Sequence, residues 1–204
     1  MGWWERQVVP RIVCRNRSPE VTGLRARVCA GLAGDVIEVG FGSGLNVAHY
    51  PETVRGVWAI EPSDVAWKMA QPRIATGPVP VHRAGLDGQR LSMPDCRYDS
   101  ALSTFTMCTI PDLDAALTEL RRVLRPGGTL HFVEHGRSPD ARIARWQDRL
   151  QPINGRLAGG CHLDRPIADH IRNSGWKIEQ LDRFYLVKPS PFTYAFLGTA
   201  RNAT

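Results

Sequence analysis

The sequence predicts an α/β fold in which a mostly parallel sheet is covered by helices. Short Val/Ile-rich runs alternate with helical patterns along the chain, with no internal repeat or low-complexity segment between them. The first strong apolar run, Val36-Ile37-Glu38-Val39, leads straight into Gly40-Phe41-Gly42-Ser43-Gly44, a glycine-rich loop at the end of a strand. With 204 residues, 43% apolar and 23% charged, the chain has the length of one ordinary domain and can bury a real core. That excludes a disordered tail or a fibre.

Taken in order, residues 1–30 carry Trp3, Trp4, Val8, Val9, Ile12 and Val13 and read as an N-terminal helical extension, one or two amphipathic helices packed outside the sheet. Trp3 and Trp4 beside Arg6 and Arg11 leave a second reading open, contact with a membrane surface or a dimer partner. Residues 31–204 form the domain proper, with strands expected at Val36–Val39, Val57–Ile60, Val79–Arg83, Ser100–Thr104 and Thr129–Glu134. Helices are expected at Leu45–Tyr50, Pro62–Ala70 and Leu113–Leu124, the last opened by Asp112 and closed by Pro126-Gly127-Gly128. Beyond the fifth strand come a helix Ala141–Leu150, a loop holding Gly155, Gly159 and Gly160, and a helix Arg165–Asn173 that stops at Gly175. Two last strands, Lys177–Tyr185 and Tyr194–Arg201, are separated by Pro189 and Pro191.

Charge and cysteine usage narrow the function. The net charge is +6, and 23 of the 26 cations are Arg. They are scattered rather than gathered into a block or stripe, and no recognition motif accompanies them, so nucleic acid is not the expected partner. No apolar stretch approaches the roughly 18–20 residues of a membrane span, and no cleavable hydrophobic region begins the chain. The expectation is a soluble, cytoplasmic protein. Five cysteines at 14, 29, 96, 108 and 161 show no C-x-x-C spacing, which points to free thiols in a reducing compartment rather than a disulfide framework or structural zinc.

The glycine loop carries the chemistry. Gly40, Gly42 and Gly44 let the backbone approach a ligand and leave amides free to hold its polar groups. A dinucleotide fingerprint wants G-x-G-x-x-G, but Leu45 stands three after Gly42, and the G-x-G-x-G actually present favours a nucleoside without pyrophosphate. Glu61, roughly 20 residues on and at the end of the second strand, is placed to accept hydrogen bonds from ribose hydroxyls. Asp87 and Gly88 follow the third strand and precede Leu91-Ser92-Met93-Pro94-Asp95, a loop suited to an adenine edge. All three features stand at strand carboxyl ends, where open α/β sheets bind ligands.

The set Glu38-x-Gly40-x-Gly42-x-Gly44, Glu61-Pro62-Ser63, Leu91-Ser92-Met93-Pro94-Asp95, Tyr98-Asp99 and Glu119-Leu120-x-Arg122-Val123-Leu124-Arg125-Pro126-Gly127-Gly128 resembles the class I S-adenosylmethionine-dependent methyltransferases. The resemblance covers about residues 35 to 200 and implies a Rossmann-like seven-stranded sheet with a reversed C-terminal hairpin and helices on both faces. It further implies contacts to the methionine end near Glu38, Gly40 and Gly42, ribose contacts at Glu61 beside Pro62, and adenine contacts at Asp87 and Gly88. Thr104 and Phe105 would complete the cofactor site, with Phe105 and Met107 bordering the sulfonium.

A finer similarity lies outside the cofactor loops. Thr104-Phe105-Thr106-Met107-Cys108-Thr109-Ile110, Phe132-Val133-Glu134-His135, Trp146-Gln147 and Gly159-Gly160-Cys161-His162-Leu163-Asp164-Arg165 resemble the methyltransferase-like seven group, which includes animal thiol S-methyltransferases. The animal members begin with a hydrophobic anchor, and no counterpart of it is expected here. These segments imply a substrate pocket from Met107, Cys108, Trp146, Cys161 and His162.

Methyl transfer is an in-line displacement at a carbon already activated by positive sulfur, so alignment and desolvation do most of the work. A thiol of pKa about 8.5 is mostly protonated at neutral pH, and an imidazole or positive neighbour raises its thiolate fraction. His135, at the end of the fifth strand, is the candidate base or orienting group; its alternative is a turn cap. Cys161, His162 and His135 lack a spaced fourth donor, so no metal is expected. The expected activity is methylation of a small, largely apolar acceptor, favouring a thiol, by a monomer or homodimer. The alternatives are a C- or O-methyltransferase acting on a quinone, phenol or lipid precursor, and a non-catalytic cofactor sensor, whose signature would be a degraded glycine loop or a missing Glu61.

Overall fold

Four helices begin on a side chain that accepts one of the amides a helix start leaves unpaired. In the computed structural model, which describes residues 18–203, Ser18 caps α1 (Pro19–Cys29) and Ser63 caps α2 (Asp64–Thr76). Asp112 caps α3 (Leu113–Val123) and Asp140 caps α4 (Ala141–Leu157). A shorter helix, α5 (Ile167–Asn173), follows. The strands are β1 (Gly34–Val39), β2 (Val54–Ile60), β3 (Val81–Gly85), β4 (Tyr98–Thr104), β5 (Leu124–His135), β6 (Trp176–Tyr185) and β7 (Tyr194–Asn202).

They form one sheet in the order β3-β2-β1-β4-β5-β7-β6. β1 pairs parallel with β2 and β4, β2 with β3, and β4 with β5. β7 runs antiparallel between β5 and β6, which is the reversed C-terminal hairpin the resemblance implies. Side chains alternate across the sheet as the two-residue period requires. Ile37, Ala101, Leu130 and Phe132 join Leu117, Leu120, Ile167 and Ile171 of α3 and α5 in one core. On the opposite face Val36, Val57, Leu102 and Val133 pack with Leu24 and Val28 of α1 and Ala70 of α2. Each fully buried side chain of this size stabilises by about 1.5–3 kcal/mol relative to exposure. Among the described residues no helix is long and apolar enough to cross a membrane. Trp3, Trp4 and Cys14 lie outside the described residues.

Several expected elements differ, each for a local reason. The helix expected at Leu45–Tyr50 is a single 3₁₀ turn, Val47–His49, because Asn46 bonds inward and Pro51 follows Tyr50 at once. α2 continues through Pro72 to Thr76, its stripe of Trp67, Ala70 and Ile74 lying on the core. α4 runs past Pro152 and Gly155, held by a polar stripe: Gln147 donates to the carbonyls of Gly136 and Pro191, and Gln151 and Asn154 both donate to that of Cys161. Pro126-Gly127-Gly128 does not separate helix from strand. It bulges out of β5 between the pairs Tyr98–Leu124 and Ser100–Thr129.

Candidate active site

The chain winds from β1 to β2 and β3 on one side and then returns to β4 on the other, so a crevice opens at the carboxyl ends of β1 and β4. A cavity of about 420 Å³ lies there, lined from the glycine loop, the ends of β2 and β3, the turn after β4 and the end of β5. Its wall is built by the glycine loop folding back on β2. The Gly40 amide donates to the Ile60 carbonyl at 2.9 Å, and the Gly42 amide donates to Glu61 Oε2 at 2.7 Å. Gly40 has φ +74° and a Cβ there would lie 2.0 Å from Thr106 Oγ1, so only glycine fits between the two loops.

Glu61 is buried, and its second oxygen accepts the Ser63 amide at 2.7 Å. Burial raises its pKa, while the amides of Ser63 and Gly42 and the charge of Arg83 pull it back. With two amides bound, the carboxylate keeps lone pairs for a ligand, as two ribose hydroxyls require. Past β3, Asp87 Oδ1 accepts the Gln89 amide at 2.9 Å and its side-chain nitrogen at 3.0 Å. Gly88 lies against Val39, and Leu86 presents an exposed apolar side chain to the mouth.

The turn after β4 forms the other wall. Phe105 holds φ +55°, a strained conformation for a side-chain-bearing residue. Its ring packs on His135 with centroids 4.8 Å apart, and the Arg25 guanidinium lies 5.7 Å from its centroid. Arg25 reaches in from α1 and donates to Asn46 Oδ1 at 2.8 Å and Thr104 Oγ1 at 3.0 Å. It is the arginine of the cavity lining. Glu134 is fully buried beneath this turn, accepting from Ser103 Oγ at 2.7 Å, the Thr106 amide at 3.0 Å and the Cys108 amide at 3.3 Å. Burial raises its pKa against those bonds. Arg165 clamps the same turn from outside, donating to the carbonyls of Met107 at 2.5 Å and Ile110 at 2.7 Å.

In the lining of the same cavity Cys108, His135 and Cys161 meet, with the two sulfurs 3.7 Å apart. Cys161 is the more acidic thiol: its pKa is lowered chiefly by the Cys108 S–H and also by His135, and that of Cys108 is raised by the same partnership and by burial.

Of the expected site residues, Gly40, Gly42, Glu61, Pro62, Asp87, Gly88, Thr104, Phe105, Cys108, His135 and Cys161 line this one cavity. Others do not. Glu38 is fully buried behind the glycine loop, bonded to Asn46 and Tyr50, and burial lifts its pKa to about 7. It braces the loop rather than facing the cavity. Gly44 turns the chain toward the 3₁₀ helix behind the lining. Met107 is buried in the core and His162 points away, its ring nitrogen 3.2 Å from the Gln151 side-chain nitrogen. Trp146 is 53% exposed on α4, beneath the Arg149 guanidinium and away from the cavity. The loop Leu91–Asp95 is held by Arg122, which donates to the carbonyls of Leu91 and Met93, and none of its residues lines the cavity. Arg25 stands in no motif of the sequence, while Glu134 and Arg165 stand within the quoted runs Phe132–His135 and Gly159–Arg165 but carry no assigned role there. A buried acid in the run Phe132-Val133-Glu134-His135 was the one available signal.

Comparison with known proteins agrees with this geometry. The model of the methyltransferase domain family matches residues 37–132. Human thiol S-methyltransferase TMT1B is 30% identical over 176 residues, covering 82% of this chain and 69% of that protein. The chain belongs to the class I S-adenosylmethionine-dependent methyltransferases. A SAM-dependent methyltransferase from Aquifex aeolicus shares the fold of this methyltransferase, with a TM-score of 0.67 at 17% identity over 95% of this chain and 98% of that one. A ubiquinone/menaquinone biosynthesis C-methyltransferase, UbiE of Bordetella avium, is 32% identical over 81 residues, 40% of this chain and 32% of that protein. S-Adenosylmethionine is the cofactor, and the buried carboxylate of Glu61 and the arginine in the cavity wall suit its hydroxyls and its carboxylate.

Proposed function

We propose that this methyltransferase transfers the methyl group to the sulfur of a small, largely apolar thiol. The observation that carries the proposal is the lining of the cavity. One cavity takes in the glycine loop, Glu61 and Phe105 together with Cys108, His135 and Cys161. Such a lining offers a nucleoside and a thiol acceptor a common space. In this reading Arg25 holds the cofactor's carboxylate, Glu61 accepts its ribose hydroxyls, and Leu86, Asp87 and Gly88 receive the adenine. When bound, the cofactor supplies a methyl group on a positive sulfur, a strong electrophile that needs only alignment and a nucleophile.

The chain's own residues supply the alignment. The strained Phe105, fixed between His135 and Arg25, forms an apolar wall that keeps water from the reacting sulfur. An acceptor sulfur held against that wall would lie in line with the methyl carbon, its proton passing to solvent by way of the His135 corner as the new carbon–sulfur bond replaced the cofactor's. The corner of Cys108, His135 and Cys161 is where thiolate formation is assisted. The likeness to thiol S-methyltransferase TMT1B supports this choice of acceptor. The likeness to UbiE favours a second reading, carbon methylation of a quinol, over a shorter stretch.

The purified protein, given S-adenosylmethionine with a panel of thiols, phenols and quinols, is expected to yield S-methyl thioethers as the dominant products by mass spectrometry. Products confined to phenols or quinols would overturn the thiol reading. His135→Ala is expected to lower turnover more than cofactor affinity.

A further inference from the structure

Three donor atoms from three separate segments converge in the wall of the cavity. Cys108 lies in the turn after β4, His135 closes β5, and Cys161 stands in the segment after α4. Their two sulfurs and a ring nitrogen all lie within 4.8 Å of one another. The sulfurs are 3.7 Å apart. A tetrahedral zinc ion with zinc–sulfur bonds of about 2.3 Å sets two sulfur ligands about 3.8 Å apart.

The backbones that carry these donors are fixed from outside the cluster. Glu134 accepts the Cys108 amide at 3.3 Å, and the Cys108 carbonyl accepts the His162 amide at 2.7 Å. The Cys161 carbonyl takes bonds from Gln151 at 3.1 Å and Asn154 at 2.8 Å. The backbone positions of both cysteines therefore do not depend on the contact between their sulfurs.

We propose that Cys108, His135 and Cys161 form a site for a zinc-class divalent cation whose fourth position opens into the cavity and takes the acceptor's sulfur. The proposal deepens the thiol reading and its fourth-ligand clause rests on it. Two thiolates and an imidazole select a soft or borderline ion over magnesium or calcium. Three protein ligands with one open position form the arrangement of a catalytic rather than a structural zinc. Two thiolates also neutralise a divalent charge, so the ion enters this largely buried corner without a large uncompensated charge.

The chemistry balances without a further reactant. The acceptor thiol releases its proton to solvent as its sulfur binds the ion. A lone pair of that sulfur then forms the bond to the methyl carbon while the cofactor's carbon–sulfur bond breaks, leaving S-adenosylhomocysteine and a neutral thioether. A thioether is a poor ligand and departs. The ion needs no change of oxidation state.

Reduced, chelator-stripped full-length protein titrated with cobalt(II) under anaerobic conditions tests this. The expected result is one equivalent bound with sulfur-to-metal charge-transfer absorption and strong tetrahedral d–d bands. Affinity should fall more than tenfold in both Cys108→Ser and Cys161→Ser, and zinc should displace the cobalt. A small thiol is expected to shift the d–d bands. S-Adenosylhomocysteine affinity by calorimetry reports whether each variant is folded, and in the wild type zinc should protect both thiols from alkylation. Failure to take up cobalt or zinc, or full thiol turnover by the metal-free protein in chelator, would overturn the metal site while leaving thiol methylation standing. Bound cobalt whose bands ignore thiols would overturn the fourth-ligand clause, and phenol-only turnover would show that the thiol reading had failed with it.

Discussion

Replacing Glu61 by alanine removes an acceptor that faces two ways. Toward the protein it takes the amides of Gly42 and Ser63, each at 2.7 Å. Toward the cavity its remaining lone pairs are, in the proposed reading, the acceptors for two ribose hydroxyls. A hydrogen bond to a charged group contributes about 1.5–3 kcal/mol, so losing two on the cavity side weakens binding by roughly 3–6 kcal/mol. At about 1.4 kcal/mol per decade, that is a rise in Kd of roughly 10²–10⁴-fold. The same change strands two partly buried amides at about 1–3 kcal/mol each, which a thermal melt detects separately. Glu61→Gln separates the two effects, because the amide keeps one acceptor oxygen and loses the charge. Calorimetry with S-adenosylhomocysteine should show the glutamine variant intermediate in affinity and the alanine variant at least a hundredfold weaker than wild type. A folded alanine variant whose Kd stays within threefold of wild type would refute the ribose assignment and leave Glu61 as a brace for the glycine loop.

Arg25→Ala should weaken S-adenosylhomocysteine binding by at least tenfold, with Arg25→Lys recovering part of it; equal affinity in all three proteins would move the carboxylate elsewhere. His131 is held neutral by burial, with its pKa pushed down to about 4. Its unfolded value lies near 6.5, so the stability tied to the neutral ring is complete above about pH 6.5 and is lost as pH falls through about 4, roughly 3 kcal/mol in all. Urea melts of His131→Gln should show a flatter acid limb over that window, and an unchanged limb would contradict the burial argument. Trp146→Ala should alter stability by less than about 0.5 kcal/mol and leave KM for the acceptor unchanged, as an exposed side chain predicts. A large rise in KM would extend the acceptor site onto α4.

The sheet and most of the cofactor end were legible in the sequence because each is written locally. A strand is a two-residue alternation, and a glycine loop must hold glycines where φ is positive or where Gly40 meets Thr106. What escaped was written across long separations. Arg25 reaches the cavity from 79 residues before its partner Thr104, and Arg165 clamps Met107 across 58 residues. α4 was read too short because its anchoring stripe of Gln147, Gln151 and Asn154 is polar, and hydrophobic periodicity does not register amides bonded to loops. Glu38 and Trp146 stand outside the cavity lining in opposite senses. A motif acid faced inward to Asn46 and Tyr50, and an aromatic beside a motif faced solvent. Cys108 and Cys161, 53 residues apart, show no metal-ligand spacing along the chain, and only the fold sets their sulfurs side by side.

The strand order carries a consequence for how the molecule is made. β7 follows β6 in the chain, yet it lies inside the sheet, between β5 and β6. Until it arrives, β5 presents an open edge over the register that later pairs Thr129 with Arg201 and His135 with Ala195. A nascent chain released through β6 therefore exposes an unsatisfied hydrophobic strand beside the future cavity wall, the kind of edge that recruits foreign strands. Chains stopped within residues 186–193 should accumulate as aggregates or bind chaperones, and activity should emerge only when β7 has closed the sheet.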